Sequence, residues 1–240
     1  MGAAERGDTA VIDLYFWPTP NGYKISIALE EMGLDYTTHG IDIGAGDQFD
    51  PAFLAIAPNN RIPAIVDHEG PGGGDFHLME SGAILLYLAR KTGRFLSNNP
   101  SEEFRAIEWL MWQMGGVGPM FGQANHFIVY ADDKIDYAMN RYRNEVHRLC
   151  RVLDKRLGEV EYVAGEYGIA DMAIFPWMRA YDRYDVDMAA LPNVKRWFEA
   201  IGARPAVQRG LLVLEDRRRK GPMSDEQKEV MFGATQFKER

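Results

Sequence analysis

The chain has 240 residues, 46% of them hydrophobic and 12% aromatic, enough to bury a sizeable core as one large domain or two small ones. Its formal net charge of −8 opposes contact with phosphate backbones and anionic lipid surfaces, which excludes nucleic acid and membrane surfaces as expected partners. A single cysteine, Cys150, rules out an internal disulfide framework, and no Cys/His cluster has metal-ligand spacing, so any sulfur chemistry must use a thiol from outside the chain.

Residues 1 to 10 are polar and read as an N-terminal tail. No later run approaches the roughly 18 apolar residues of a membrane span, so a cytoplasmic protein is expected. From 11 to 91 the pattern alternates: a strand at 11 to 17 (VIDLYFW), a helix at about 22 to 33, a strand at 36 to 41, and a helical turn around Pro51 to Leu54. Two short strands follow, at 64 to 66 and 76 to 79, and then a helix from Ser81 to Lys91. The predicted order is β-α-β-α-β-β-α. Thr92 to Ser101, with Gly93, Asn98, Asn99 and Pro100, is linker chemistry. Beyond it only helical periodicity remains, over 102 to 132, 136 to 157, 169 to 184, 193 to 201 and on to about 219, while the charged segment from Lys220 to 240 is expected to stay irregular.

Three polar turns interrupt the first half. Pro18-Thr19-Pro20-Asn21-Gly22 joins the first strand to a helix and offers short polar side chains and backbone N–H groups at a helix start, which suits an anion. In Asn59-Asn60-Arg61-Ile62-Pro63, a proline precedes a short buried strand, and a cis Ile62–Pro63 bond, the minority form of such bonds, would turn the Ile62 backbone outward. Glu80-Ser81-Gly82 precedes an apolar helix, where Ser81 is placed either to cap the helix or to present donors to a carboxylate.

TPNGYKISIALEE, NNRIPAIVD and MESGAILLYLA, in this order and followed by an all-helical half, resemble the glutathione transferases, and most closely their nu class of bacterial disulfide-bond reductases. The match runs from about 11 to 215 and takes in Trp112-Gln113-Met114-Gly115-Gly116-Val117-Gly118-Pro119-Met120 and Gly168-Ile169-Ala170-Asp171. The resemblance implies an α/β thioredoxin-like domain over 11–91 that holds glutathione as co-substrate, without a metal. It further implies an all-α domain over 102–219 that completes the electrophile site, and a homodimer whose interface borders the active site.

Many relatives place Tyr, Ser or Cys beside the glutathione sulfur; this chain has Thr19 and Asn21 there. A threonine hydroxyl and an asparagine amide both donate, and with a helix start they would favour the thiolate of a thiol that is mostly protonated at neutral pH. By the same resemblance Glu80 takes the γ-glutamyl amine, Ser81 the γ-glutamyl carboxylate, and the Ile62 backbone pairs with the cysteinyl backbone. Gln48 matches a glutathione contact, or is an exposed loop amide. Arg61 is within reach of the glycyl end, or is a solvated loop arginine. Arg141 matches an arginine that reaches across the dimer, although Arg143 is two residues away and could exchange roles with it.

Asn125 and His126 either look into the electrophile pocket or belong to helix packing, the second being the plainer account. Asp171 resembles the N-capping acid that stabilises the helical domain, with Gly168 where a capping box would carry Ser or Thr. Cys150, on an apolar helix face with Val146, Leu149 and Leu153, reads as a buried small hydrophobe. The function implied is glutathione-dependent reduction of disulfide bonds, with glutathione transferase and peroxidase-type side activities; a non-enzymatic glutathione-fold binding or regulatory protein is the alternative.

Overall fold

Alternation makes the first strand: in β1 (Ile12–Phe16), Ile12, Leu14 and Phe16 are fully buried while Asp13 and Tyr15 point to the opposite face. The computed structural model describes residues 11–238, so the tail expected at 1 to 10 lies outside the described residues. β1 runs parallel to β2 (Tyr36–Gly40) and antiparallel to β3 (Ala64–Asp67), which pairs antiparallel with β4 (Phe76–Met79), giving the order β2-β1-β3-β4. Parallel neighbours need a crossover, and α1 (Pro20–Met32) supplies it. With α2 (Pro51–Ile56) and α3 (Ser81–Thr92) the order is β-α-β-α-β-β-α, as the sequence predicts.

α1 starts two residues earlier than the sequence suggested because Thr19 caps it and Pro20 occupies the first turn, where a missing N–H costs nothing. One sheet face packs Ile12, Leu14 and Phe16 against Ile25, Ile27 and Leu29 of α1 and Ile84, Leu85 and Leu88 of α3. On the other, Tyr15 and Trp17 pack with Phe53 and Ile56 of α2 and with Ile62.

The helical half begins with α4 (Pro100–Trp112), whose start lies within the expected linker because Asn99 caps Ser101 and Glu102. Two π-helical turns, Gln113–Val117 and His126–Tyr130, flank α5 (Gly118–Asn125), so the expected 102 to 132 helix is one helical run with two re-aimed turns. α6 (Asp136–Leu157), α7 (Ile169–Met178), α8 (Pro192–Gly202) and α9 (Pro205–Leu212) follow. The expected 169 to 184 helix ends at Met178, with a 3₁₀ turn over Tyr181–Tyr184.

At the start of α7, Asp171 is fully buried and accepts from Gly168 N (3.1 Å), Val163 N (3.1 Å) and Trp197 Nε1 (2.7 Å). Burial raises its carboxyl to about 6 against the pull of these donors. Gly168 contributes no side-chain cap, so half of the reciprocal box is missing, as its sequence implied.

α9 returns to α1. A Cβ on Gly210 would stand 2.7 Å from Ile27 Cα, so the approach of the two helices requires glycine there. Arg204 grips the buried Glu31 with two hydrogen bonds, of 2.6 and 2.9 Å, and its guanidinium lies over the Tyr167 ring.

The segment from Lys220 is not irregular, contrary to expectation. Ser224 and Gln227 exchange side-chain and backbone hydrogen bonds in a capping box and start α10 (Asp225–Phe232), followed by a 3₁₀ turn over Ala234–Phe237. The Phe232 ring packs on His126 (4.8 Å) and Tyr130 (5.6 Å), Lys228 pairs with Asp132, and Gln236 accepts from Arg61 (3.0 Å). The tail thus bridges the helical half and the loop before β3.

Candidate functional site

A cleft of about 150 Å³ opens where α1, α3 and the first π turn meet. Asn21 comes from the first turn of α1, Arg61, Ile62 and Pro63 from the loop before β3, Glu80 and Ser81 from the β4–α3 junction, and Met114 from the π turn. Five of the eight residues singled out from sequence therefore share one cleft: Asn21, Arg61, Ile62, Glu80 and Ser81. Thr19 stands beside it as the cap of α1. Gln48 and Arg141 do not line it.

The α1 start sits tight against the end of β1: a Cβ on Gly22 would meet the Trp17 carbonyl oxygen at 2.2 Å, so only glycine lets the helix begin there. Gly22 N donates to Thr19 Oγ1 (3.3 Å), which occupies the hydroxyl as acceptor and leaves its hydrogen for another partner. Trp177 Nε1, from α7, donates to Asn21 Oδ1 (3.2 Å). The amide's acceptor end is thereby taken and its N–H₂ end left for the cleft.

Ile62–Pro63 is a cis bond, and Ile62 is nearly buried in the cleft wall. Glu80 holds φ 70° and ψ 108°, a left-handed backbone rare for a non-glycine residue and a mark of functional sites. It occupies the N-cap position of α3 without a side-chain cap bond, so its exposed carboxylate is uncommitted to the helix. Ser81 is buried one residue on, at the helix start.

Two expectations change. Gln48 is not an exposed loop amide: it is 2% exposed, its Nε2 donates to Ile43 O (3.0 Å), and its Oε1 has no partner among the described residues. Arg61 lines the cleft as an exposed loop arginine that is not solvated alone, since its Nη1 is shared between Asn60 Oδ1 (3.2 Å) and Gln236 Oε1 (3.0 Å). Arg141 lies exposed on α6 beside Glu145 (3.7 Å), and Arg143 pairs with Asp185 (3.1 Å). His126 is a half-buried packing ring under Phe232, and Asn125 accepts from Arg183 (3.4 Å).

Two residues behind the cleft escaped the sequence reading. One is Trp177. The other is Lys24, 1% exposed, whose Nζ donates to Gln113 Oε1 (2.7 Å) and Ser81 Oγ (3.1 Å) and touches Met114 Sδ (3.5 Å). Burial lowers its amine to about 7, partly offset by the charge of Glu80. Its signal in the sequence was a lysine inside a helix with apolar residues on every side, from which no face leads to solvent. Cys150 is 1% exposed on α6, and burial pushes its thiol up to about 12. Among the described residues no His/Cys/Asp/Glu group could hold a metal ion, and no helix is long and apolar enough to cross a membrane.

The family models for the glutathione S-transferase N-terminal and C-terminal domains match residues 10–90 and 119–205. The disulfide-bond oxidoreductase YfcG of Escherichia coli is 53% identical over 204 residues, covering 84% of this chain and 95% of YfcG. The chain belongs to the glutathione S-transferase family. A second E. coli relative, the disulfide-bond oxidoreductase YghU, is 41% identical over 90% of this chain and 78% of its own. Among solved structures, a Pseudomonas putida glutathione transferase with one glutathione disulfide bound per subunit aligns with a TM-score of 0.83 and 44% identity, over 88% of this chain and 94% of that one. The polar groups at the cleft are a carboxylate not committed to its helix, a buried hydroxyl at the α3 start, and a threonine hydroxyl and an asparagine amide at the α1 start.

Proposed function

We propose that the chain is a glutathione-dependent disulfide oxidoreductase of the nu type, working in the cytoplasm as a homodimer, with residues 11–91 holding glutathione and 102–219 completing the pocket for the second substrate. The observation that carries this reading is the pairing at the α1 start: Thr19, beside the cleft, and Asn21, in its wall, each accept a hydrogen bond, from Gly22 N and Trp177 Nε1, which leaves the hydroxyl hydrogen and the amide N–H₂ as donors for a ligand. Donors aimed at sulfur favour its anion over its neutral form. Glutathione supplies a thiol of ordinary pKa, about 8.5, and each unit of depression reflects about 1.4 kcal/mol of preference for the thiolate.

Glu80 would take the γ-glutamyl amine, Ser81 the γ-glutamyl carboxylate, and the Ile62 backbone the cysteinyl backbone, while Arg61 would free itself from Gln236 to meet the glycyl carboxylate. Gln48, buried within the β2–α2 loop, supports that loop through its bond to Ile43 O. Reduction of a disulfide by two glutathiones yields two thiols and one glutathione disulfide. The electrons come from the co-substrate and no protein thiol changes oxidation state. The buried, protonated Cys150 is consistent with this. Arg141 is exposed on α6, which also carries Tyr137, 82% exposed, and α4 presents Phe104, 69% exposed; an interface over these helices would bring a partner's Arg141 to the cleft.

The test is turnover of hydroxyethyl disulfide with glutathione, set beside a chlorinated aromatic electrophile. Preference for the disulfide, retained in Cys150→Ser, is expected. Turnover of neither substrate, with glutathione still bound, would indicate a binding protein, and an inactive but folded Cys150→Ser would return the sulfur chemistry to the chain.

A further inference from the structure

Lys24 is an ammonium-bearing side chain sealed from water whose three polar neighbours are all neutral: an amide oxygen, a hydroxyl and a thioether. Among the described residues it forms no ion pair with a carboxylate; Glu80 acts on it only through space. Burying a charge without a counter-charge is costly, and the Gln113 amide that accepts from it leaves its own Nε2 without a partner, a second expense at the same place. These costs fall directly behind the cleft wall, since two of the three partners, Ser81 and Met114, face the cleft.

The Ser81 hydroxyl is the relay. Its oxygen accepts from Lys24 Nζ, and its hydrogen meets only Met114 Sδ at 3.7 Å, a weak acceptor that a carboxylate would readily replace. A carboxylate bound at the α3 start would thus find the helix N–H groups, a hydroxyl polarised from behind, and a positive charge one side chain deeper.

We propose that Lys24 is a positioning residue for glutathione: acting through Ser81, it supplies the buried positive charge that is answered by the γ-glutamyl carboxylate. This rests on the reading that the γ-glutamyl end binds at Glu80 and Ser81. The lowered amine pKa agrees with it, as expected of a cation whose counter-charge arrives with the ligand. The role is distinct from that of Glu80, which addresses the amine of the same head group.

The experiment is calorimetric titration of wild type and Lys24→Met with three tripeptides: glutathione, 4-aminobutyryl-Cys-Gly, which lacks the carboxylate, and glutaryl-Cys-Gly, which lacks the amine. Lys24→Met is expected to weaken glutathione and glutaryl-Cys-Gly by about tenfold or more while leaving 4-aminobutyryl-Cys-Gly within about twofold of wild type. Equal weakening of all three, or of none, overturns the proposal, because a purely structural lysine would not discriminate among ligands. Where Lys24→Met does not fold, Lys24→Gln keeps a polar group of similar reach without the charge and is expected to show the same discrimination; its absence counts against Lys24. Ser81→Ala and Glu80→Ala separate this proposal from the reading beneath it. If both leave all three affinities unchanged, the head group binds elsewhere and both ideas fail; if they weaken binding while Lys24→Met does not, only the role of Lys24 is lost.

Discussion

Asn21 is a neutral amide made directional by a neighbour. An asparagine side chain can present either end, and Trp177, an indole that only donates, fixes which end is left over. Trp177→Phe keeps a ring in place and removes that N–H. With the amide free to turn, the donor at sulfur is lost part of the time, so kcat for disulfide reduction should fall by about tenfold or more while the glutathione Kd stays within about twofold. An unchanged kcat, or a Kd that rises in step with the loss of turnover, would show that the indole does not orient Asn21. The polar turn that carries Thr19 and Asn21 was legible in the sequence as a helix start, and capping by Thr19 is what the structure has there. The indole that orients one of them comes from 156 positions later in the chain, and no local pattern announces it.

At the scale of the element, strands and helices were legible where burial on one face imposes a period: β1, α1, α3 and α6 stand within a few residues of their predicted ends. α10 was not, because none of its residues is fully buried and its apolar contacts, Phe232 on His126 and Tyr130, are made with a helix about 100 residues earlier. Its capping box, Ser224 to Gln227, was present in the sequence and is the signal that would have found it. The cap of α7 is the more consequential one. Asp171→Ala would leave three buried donors, Val163 N, Gly168 N and Trp197 Nε1, without an acceptor, at about 1 to 3 kcal/mol each before relaxation. Denaturant unfolding is expected to show a loss of about 2 to 4 kcal/mol, with Asp171→Asn, which retains an acceptor, losing less. Equal stability of the alanine variant and wild type would mean that water replaces the carboxylate there.

For the whole molecule, Lys24 ties stability to pH. Its amine is held at about 7 in the fold against 10.5 when free, so between these values the unfolded chain binds the extra proton and the folded one does not. Stability from this group therefore rises with pH across that window, by at most about 1.4 kcal/mol per unit. Compared with Lys24→Met, the ligand-free wild type should gain stability on going from neutral to alkaline solution; a constant gap between the two would show that the amine is charged, or neutral, throughout. Arg141 belongs to the same scale, since it lies outside the cleft of its own chain. Arg141→Ala should weaken glutathione binding in the dimer without shifting the melting temperature, and sedimentation of wild type as a monomer at micromolar concentration would remove the contact altogether.

The contact of α9 with α1 sets an order of events during synthesis. Ile27 and Glu31 leave the ribosome among the first residues, and the Gly210 and Arg204 that cover them are made near the end. Translation proceeds at about 5 to 20 residues per second, so the buried face of α1 waits roughly ten seconds or more for its partner. During that interval an apolar helix flank and an unpaired carboxylate face solvent, a nascent state suited to chaperone holding, and a chain ending before α9 would have its cleft nearly complete in sequence and unsupported from behind.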